Sequence, residues 1–545
     1  MALQEHLENR AIAERLESFA TLLELAGANP YSARAYRRAA ELIRATKAPV
    51  AELVRQGRVR ELRGIGRGIE GKLKELVETG EIAELEELER EVQPDLVGLG
   101  LYLGIGARQA VLIARTLGVR TAAELRAAAT AGRLREVPGI GPQKEAKLLA
   151  ALDRVDEPRP PRGLLIHRAR RLLDEIAAPL GGTPAGDPRR FRDSSEHLAV
   201  VVSAEHAEPV LDAFATLPAI VTVLERGPRS AYGVTVEGVP VELVVAPPGV
   251  FGTELLRATG SREYVEALGP LPEAPDEPGV YRALGIPYVP PELREAPYRG
   301  EPPPLVEVAD IRGDLHCHTT WSDGTESVES MARAAIERGY EYLAICDHTP
   351  AVGAVRGLTA DDLRRQAIEI AAANEALAPF RVLRGSECDV LLDGQLDLPD
   401  SILAELDWVQ ASVHGGQRLP KREQTERVVR ALRNPHVSCL SHPKGRYVNR
   451  RPENELDIDV LIEVALEEGV ALEVNGLPDR LDLKDVHVRQ ALAAGVKVVC
   501  STDAHSIRGL SNMELAIATA RRGWATAAEV VNTRPVEEVL AWRRR

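Results

Sequence analysis

The stretch GDLHCHTTWSDG, residues 313–324, decides the fold of the carboxy-terminal part of the chain. In Asp314-Leu315-His316-Cys317-His318 the two histidines stand two positions apart, which predicts that both lie on one face of a strand. A Ser-Asp-Gly turn then adds the carboxylate of Asp323. Histidine and carboxylate side chains gathered at a strand end are typical metal ligands, so the stretch predicts a metal site.

Downstream of this stretch, short apolar strands alternate with amphipathic helices about every 25–30 residues. That rhythm predicts βα units and a closed parallel barrel over residues 313–545. Each strand ends in polar side chains, and the carboxyl ends of the strands are where βα barrels carry active sites. The strands concerned include YLAICDH (342–348), WVQASVHG (408–415), VSCLSHP (437–443), VALEVNG (470–476) and VKVVCSTDAH (496–505).

Eight of the chain's 12 histidines lie between residues 316 and 505, and six of these stand at or just after a strand end. Imidazoles and carboxylates without a Cys-x-x-Cys pair favour Zn²⁺ or Mn²⁺ over an iron–sulfur cluster. Cys317, Cys346 and Cys388 are expected to point to the opposite strand face, into the core. The predicted cluster consists of His316, His318, Asp323, His348, Glu387, His414, His442, Asp503 and His505.

Residues 1–155 have the apolar spacing of helices, interrupted by three Gly-Ile-Gly turns. Glycine lets backbone N–H groups approach a phosphate at the amino end of the next helix, and such contacts hold DNA without reading its sequence. The alternative is that these glycines only form tight turns between helices. The predicted DNA contacts are Gly64, Gly66, Gly104, Gly106, Gly139, Gly141 and Lys144, with Arg446 in a basic loop that also holds Lys444, Arg450 and Arg451.

A small α/β region lies between the helical part and the barrel. Residues 197–204 predict a strand, and residues 233–248 predict a hairpin around Glu237-Gly238. The predicted fold is therefore multidomain, α followed by α/β. Its expected domains are two helical ones at 1–85 and 86–155, the α/β domain at 164–297, a proline-rich linker at 298–312 and the barrel at 313–545.

The 545-residue chain has a net charge of −14, which argues against nonspecific nucleic-acid affinity over its whole surface. Residues 1–150 hold 23 Lys and Arg against 21 Asp and Glu, so the acidic excess lies downstream. Five cysteines without a Cys-x-x-Cys pair fit a reducing compartment. The sequence has neither an apolar run of ~18 residues nor a signal-peptide core, so we expect a cytoplasmic protein without membrane contact.

The order D-x-H-x-H, S-D-G, D-H, E, H, H-P and D-x-H within residues 314–505 resembles the PHP (polymerase and histidinol phosphatase) metal-dependent phosphoesterases. The resemblance implies up to three ions, Zn²⁺ or Mn²⁺, and hydrolysis of a phosphoester by metal-bound water. It assigns one ion to His316, His318, Glu387 and Asp503, a second to Asp323, His348 and His505, and a third to His414 and His442 with Glu387 bridging. It also makes His316, His318, Asp323, His348, Glu387 and Asp503 the catalytic set.

Four further segments resemble the bacterial X-family DNA polymerases that carry a C-terminal PHP domain. These are NPYSARAYRRAAELIR (29–44), the helix-hairpin-helix-like LRGIGRGIEGKL (62–73) and VPGIGPQKEAKL (137–148), and YRALGIPYVPPELRE (281–295). This resemblance spans nearly the whole chain and implies a lyase-like domain at 1–85, a fingers-like domain at 86–155 and a polymerase palm with a short thumb at 164–297. Lys72 falls where some members have a Schiff-base lysine; the alternative is a plain surface lysine.

The palm departs from the family pattern at its catalytic positions. His197 and Ala199 stand where the family has an Asp-x-Asp pair, and Glu242 stands at the third aspartate. Asp187 replaces a triphosphate-binding serine, and a carboxylate there repels a triphosphate. A two-metal Mg²⁺ or Mn²⁺ site thus lacks its main ligands, which predicts a palm retained as a scaffold.

The leading hypothesis is a DNA-repair enzyme that binds gapped or 3′-ended DNA and hydrolyses it as a 3′→5′ exonuclease or an abasic-site endonuclease. The first rival is an active Mn²⁺-dependent gap-filling polymerase with an accessory exonuclease, which the whole-chain resemblance favours and the palm opposes. The second is a nonenzymatic scaffold that binds DNA ends, which the metal set opposes. The third is a small-molecule phosphatase, which leaves the glycine turns unexplained.

Overall fold

The computed structural model describes residues 8–25, 30–85, 112–113, 116–119, 122–141, 145, 148 and 163–542. The chain divides into two compact units. The amino-terminal unit comprises Met1–Leu164, Glu175–Gly182 and Glu196–Ala246, and the carboxy-terminal unit comprises Leu165–Asp174, Thr183–Ser195 and Pro247–Arg545. This division passes through the domain predicted at 164–297. Among the described helices, none is long and apolar enough to cross a membrane.

Helices open the amino-terminal unit, and their buried faces follow the predicted apolar spacing. Ile12, Leu16 and Phe19 are almost completely buried, and the Phe19 ring meets Tyr36 edge-on at 4.9 Å between centroids. The described helices are α1 (Asn9–Leu25), α2 (Pro30–Ala45), α3 (Val50–Arg55), α4 (Arg67–Thr79) and α5 (Ala122–Thr130). Helix α6 (Ile166–Leu180) contributes residues to both units, and α7 (Glu208–Ala215) belongs to the amino-terminal unit.

A sheet completes the amino-terminal unit and matches the predicted strand and hairpin. Its strands β4 (Leu198–Ser203) and β7 (Pro240–Ala246) run parallel, whereas β6 (Ser230–Thr235) pairs antiparallel with both β7 and β5 (Ile220–Arg226). Gly238 turns the β6–β7 hairpin with a φ of +77°, a conformation that suits glycine. The chain also has three shorter strands: β1 (Leu164–Leu165), β2 (Thr183–Ala185) and β3 (Ser194–Ser195).

The carboxy-terminal unit is built on seven parallel strands, which bears out the predicted barrel. Their order is β14-β13-β12-β11-β10-β9-β8, and a parallel bridge from Cys317 to Ala504 brings the two ends of the sheet together. The strands are β8 (Gly313–Cys317), β9 (Tyr342–Ile345), β10 (Arg381–Asp389), β11 (Trp408–Ser412), β12 (Cys439–Leu440), β13 (Ala471–Asn475) and β14 (Val498–Ser501).

Helices alternate with the barrel strands, as the βα rhythm predicts. They are α11 (Val328–Glu337), α12 (Ala360–Ala376), α13 (Asp400–Leu403), α14 (Lys421–Leu432), α15 (Ile458–Glu468), α16 (Asp485–Ala494), α17 (Met513–Arg522) and α18 (Val536–Trp542). Three more helices lie before the barrel in the chain: α8 (Phe251–Thr259), α9 (Arg262–Leu268) and α10 (Glu277–Leu284). Ion pairs to the buried Glu277 from Arg189 and Arg294 tie this smaller region together.

All five cysteines are buried, but they do not share one environment. Cys317 and Cys388 pack in the large apolar core that includes the barrel helices, as expected. Cys346 instead packs with Leu315 and Trp408 in a second core formed mainly by strand residues. The expectation that Cys346 points away from the ligand face is therefore wrong. Cys346 and His348 stand two positions apart, so the alternation of side chains along a strand already places both on the same face.

Candidate metal centre

The nine predicted ligands meet at the carboxyl ends of the barrel strands. Strand β8 shows a register shift between Asp314 and Cys317, yet the histidines at 316 and 318 converge, with 3.1 Å between their Nε2 atoms. The Glu387 carboxylate at the centre has Oε2 3.4 Å from His316 Nε2 and 3.0 Å from His348 Nδ1. Asp503 Oδ1 lies 3.1 Å from His318 Nε2. The residues predicted as ligands from their positions near strand ends thus form one continuous cluster.

Three groups within the cluster place their ligand atoms within 4.8 Å of one another. His318 belongs to two of these groups, although the family pattern assigned it to the first ion alone. His442 completes the third group through Glu387, because His442 Nε2 lies 2.9 Å from Glu387 Oε1. The groups are His318, Asp323, His348 and His505; then His316, His318 and Asp503; then His348, Glu387 and His414.

The donor set fits metal ions. Burial and the neighbouring His505 and His348 rings lower the pKa of His318 to about 4, although Asp503 opposes this. His318 is therefore neutral near pH 7, the form that coordinates a metal. Burial alone would raise the pKa of Glu387, but His414, His348 and His316 lower it well below its usual range. Burial would lower the pKa values of His316 and His348, but the surrounding carboxylates raise them above the usual range, so a metal ion at this site takes the place of protons on these rings.

Two ligands have unusual backbone conformations. His442 has a φ of +25° and Asp503 a φ of +52°, in the left-handed region that non-glycine residues seldom adopt. Such conformations cost on the order of 1–3 kcal/mol each and persist where the surrounding structure enforces them. A hydrogen bond from the His442 backbone N–H to Glu473 Oε2, at 2.6 Å, helps to enforce one of them.

Supporting carboxylates orient the ligands, and the sequence analysis missed them. Glu473 Oε1 lies 2.6 Å from His316 Nδ1, and Asp389 contacts His414 Nδ1 at 3.2 Å. Such partners fix the orientation of a ligating histidine and the nitrogen that faces the metal. A signal for Glu473 was present, because a charged residue in the middle of the apolar strand VALEVNG needs a buried partner.

Replacing Glu473 by Gln is expected to weaken metal binding about 10- to 100-fold, since the His316 ring loses its anionic partner. Metal affinity is measured by competition with a chelating dye on the full chain. The matched control is Glu467→Gln on the exposed side of α15, which should bind metal as the wild type does. Wild-type affinity in Glu473→Gln would show that this carboxylate does not support a ligand.

A cavity of about 370 Å³ opens over the cluster. Metal-ligand candidates, among them Glu387, form one part of its lining. Val352, Val355 and Leu477 add an apolar part, and Tyr447 and Arg480 add an aromatic ring and a cation. Its volume lies in the range of small-molecule sites, which suits one nucleotide or a comparable phosphoester.

The basic loop after His442 differs from the expectation that it offers free cations to phosphate. Arg446 is 9% exposed, and its guanidinium donates to Asp193 Oδ2 at 2.8 Å and to the Leu481 carbonyl at 2.6 Å. The Lys444 ammonium donates to the Leu456 carbonyl. A phosphate contact by Arg446 would have to break these bonds, so the structure does not favour the predicted DNA contact. Arg450 remains largely exposed.

The helical part presents two of the three glycine turns; Gly104, Gly106 and Lys144 lie outside the described residues. Gly64 and Gly139 have φ values of +106° and +82°, which favour glycine. Around Gly64, Gly66 and Gly141 an added Cβ would meet no atom within 4 Å. This open backbone is consistent with close approach of a phosphate to the helix that follows.

Lys72 is not poised as a nucleophile. Its ammonium lies 2.9 Å from Glu84 and 3.3 Å from Glu75. Burial would lower the pKa of Lys72, but these carboxylates raise it above the usual value. A protonated amine does not form a Schiff base, so the geometry favours the surface-lysine alternative.

The palm positions lie together on one face of the sheet. Ala199 and Glu242 are register partners on β4 and β7, and His197 directly precedes β4 with its ring stacked on Tyr232. Glu225 lies on the same face two strands from Glu242, about 10 Å away by strand spacing, and both residues line one cavity, although Glu225 is not at any of the three family positions. In the carboxy-terminal unit, Asp187 forms an ion pair with Arg190.

Comparison with known proteins covers almost the entire chain. A helix-hairpin-helix domain matches residues 7–82, a SAM-like helix-hairpin-helix tandem matches residues 103–154, and a PHP domain matches residues 314–475. The DNA polymerase/3′-5′ exonuclease PolX of Bacillus subtilis (strain 168) is 34% identical over 571 aligned residues, covering 99% of this chain and 100% of that protein.

Two further relatives match a smaller share of the chain. A probable phosphatase of Acetivibrio thermocellus is 34% identical over 203 residues, 35% of this chain and 78% of that protein. A probable phosphatase of Thermoanaerobacter sp. (strain X514) is 27% identical over 232 residues, 40% of this chain and 89% of that protein.

Proposed function

The chain belongs to the bacterial X-family DNA polymerases with a C-terminal PHP domain, and we propose that it processes DNA by hydrolysing phosphodiesters at the barrel. The observation that carries this proposal is an asymmetry between two sites. The barrel gathers nine metal-ligand candidates around Glu387, whereas the palm face has only Glu242 at the three positions that need aspartates. Chemistry therefore resides in the barrel.

The candidate ligands would hold up to three ions, Zn²⁺ or Mn²⁺, in the three groups of the cluster. Bound there, such ions would provide a nucleophilic water near neutral pH and neutralise charge on the phosphate. The protein's own contribution is to hold imidazoles and ionised carboxylates in place. Glu387 is central, since its two oxygens reach His316, His348 and His442. Loss of His318 or His348 disturbs two groups at once, because each of these residues belongs to two of them.

We propose the 3′ end as the point of attack, with gapped duplex and single strand as substrates and abasic-site cleavage as the alternative. The test uses 5′-labelled DNA with Mn²⁺, followed over time on a sequencing gel. A 3′→5′ exonuclease gives a ladder that shortens one nucleotide at a time. One discrete cut at an abasic site, without a ladder on intact DNA, would replace the exonuclease by the endonuclease.

The helical part binds DNA through the backbone without reading sequence. Its two described glycine turns leave open helix starts, and a relative that spans the whole chain is named as a DNA polymerase. We expect binding to weaken with salt, with a log–log slope of about −0.9 for each phosphate neutralised on duplex DNA. Fluorescence anisotropy on duplexes of equal shape and different sequence measures both properties. A strong preference for one sequence would contradict the proposal.

Substituting a glycine in each described turn tests the same contacts directly. Gly66→Val and Gly141→Val place side chains in open space without a strained φ, and each should lower DNA affinity about tenfold, because the side chain keeps a phosphate from the charge-assisted hydrogen bond to the backbone N–H. Gly71→Val is the matched control, because its added Cβ also meets no atom and it lies within α4 rather than at its start. Equal DNA affinities for all three variants would show that the glycine turns only connect helices and do not contact DNA.

A further inference from the structure

Arg480 is a buried cation beside the metal-ligand cluster. It is 9% exposed, and its Nε is buried without a hydrogen-bond partner among the described residues. The Nε lies 3.9 Å from Asp503 Oδ2, beyond hydrogen-bonding distance. Arg480 lines the same cavity as Asp323 and His348, so its guanidinium stands at the wall of the site where hydrolysis is proposed.

Three other buried arginines of the carboxy-terminal unit are paired with carboxylates, and the buried Arg427 donates to backbone carbonyls. Arg294, Arg190 and Arg522 each lie within 3.0 Å of a carboxylate oxygen. Such pairing is the rule, because an uncompensated buried charge is costly. Asp503, whose Oδ2 lies 3.9 Å from Arg480 Nε, is otherwise engaged, because this oxygen accepts from Asn475 Nδ2 at 3.0 Å and Oδ1 faces His318. Arg480 therefore has hydrogen-bonding capacity for an anion that enters the cavity.

Tyr447 fixes the position of this cation without neutralising it. The guanidinium carbons of Arg480 and Arg451 each lie 4.6 Å from the centroid of the Tyr447 ring. Backbone hydrogen bonding between Tyr447 and Arg451 holds the ring in place. A stacked guanidinium has a defined plane, which is the preorganisation that binding to a developing charge requires.

We propose that Arg480 donates hydrogen bonds to a non-bridging oxygen of the phosphate that is hydrolysed. This inference rests on the proposed function and adds to it the group that binds the phosphate. The planar guanidinium matches phosphate geometry, and it strengthens binding as negative charge develops on the oxygens. The apolar residues Val352, Val355 and Leu477 in the lining of the same cavity offer a surface to the sugar or base.

The test compares Arg480→Gln and Arg480→Lys with Arg433→Gln in the Mn²⁺-loaded full chain. Arg433 is the matched control, because its side chain is 61% exposed, its Nε lies 4.0 Å from Glu468 Oε1, and it belongs neither to the basic loop nor to the lining of the cavity. Three quantities are measured: kcat/KM on bis(p-nitrophenyl) phosphate and on 3′-ended DNA, affinity for inorganic phosphate by calorimetry, and bound metal per chain.

Arg480→Gln should lower kcat/KM on both substrates about 100- to 1000-fold, as loss of one preorganised donor does, with bound metal unchanged. Phosphate affinity should fall at least about tenfold. Arg480→Lys should recover part of both losses, and Arg433→Gln should stay within about twofold of wild type, because an exposed ion pair contributes little.

Wild-type kinetics and phosphate affinity in Arg480→Gln would overturn the inference, and so would loss of bound metal, which would make Arg480 a structural residue. The phosphate titration needs no turnover, so it reports on Arg480 even if the wild-type protein fails to hydrolyse DNA. That failure would instead contradict the proposed function.

Discussion

Replacing His316 and His318 together by alanine should lower metal-dependent DNA hydrolysis by at least about a thousandfold, which corresponds to about 4 kcal/mol of transition-state stabilisation. His318 belongs to two of the candidate metal groups and His316 to one of them, and their Nε2 atoms lie 3.1 Å apart. Their removal takes donors from two groups at once and deprives Asp503 of the ring that lies 3.1 Å from its Oδ1. The rate is measured as release of a 3′-terminal label in the presence of Mn²⁺.

The control for this double variant is His206→Ala/His436→Ala, which removes two histidines outside the cluster and should keep the wild-type rate. DNA affinity should remain nearly intact in the double variant at 316 and 318, because the expected DNA contacts lie in the helical part. Degradation at the wild-type rate by that variant would remove the barrel as the site of hydrolysis.

The palm should show no efficient template-directed synthesis, and this is the second large effect. Ala199 has no oxygen to bind a metal, and its register partner Glu242 is one carboxylate where two ions need several. His197 offers a neutral nitrogen, which hard Mg²⁺ disfavours. Extension of a one-nucleotide gap is measured in the His316→Ala/His318→Ala background, so that degradation cannot mask synthesis.

The rate of extension is expected to be at least about a thousandfold lower than that of a gap-filling polymerase assayed alongside. This difference again corresponds to about 4 kcal/mol of transition-state stabilisation. A trace with Mn²⁺ is compatible with the account, because Mn²⁺ accepts nitrogen ligands more readily. Efficient extension that follows the template base would contradict it and favour the rival, a gap-filling polymerase with an accessory exonuclease.

The sequence predicted the ligand cluster because the ligands lie near the ends of short apolar strands or, for Asp323, in the turn after one. Parallel strands bring their carboxyl ends to one edge, so residues as distant as His316 and Asp503 meet without any long-range information beyond strand order. The strand and the hairpin of the α/β region were also predictable from the sequence, because their apolar alternation and the turn at Gly238 are local signals.

Features that depend on contacts between distant segments were not predicted. Arg446 was expected to contact phosphate, but Asp193, far away in the chain, binds its guanidinium. Arg480 gave no signal, because its burial and its stacking on Tyr447 arise from the folded loops. Glu473 was detectable in principle as a charge within an apolar strand. Its partner His316 could not be predicted, because their contact depends on how β8 and β13 are arranged in the folded barrel.

Metal titration of the full chain, stripped with a chelator, tests the central claim most directly. Release of the 3′-terminal nucleotide is followed while Mn²⁺ or Zn²⁺ is added back, and bound metal is counted per chain. We predict no hydrolysis by the stripped protein, and activity that appears as up to three ions bind. Hydrolysis by the metal-free chain, or equal activity in the His316→Ala/His318→Ala variant, would contradict the account.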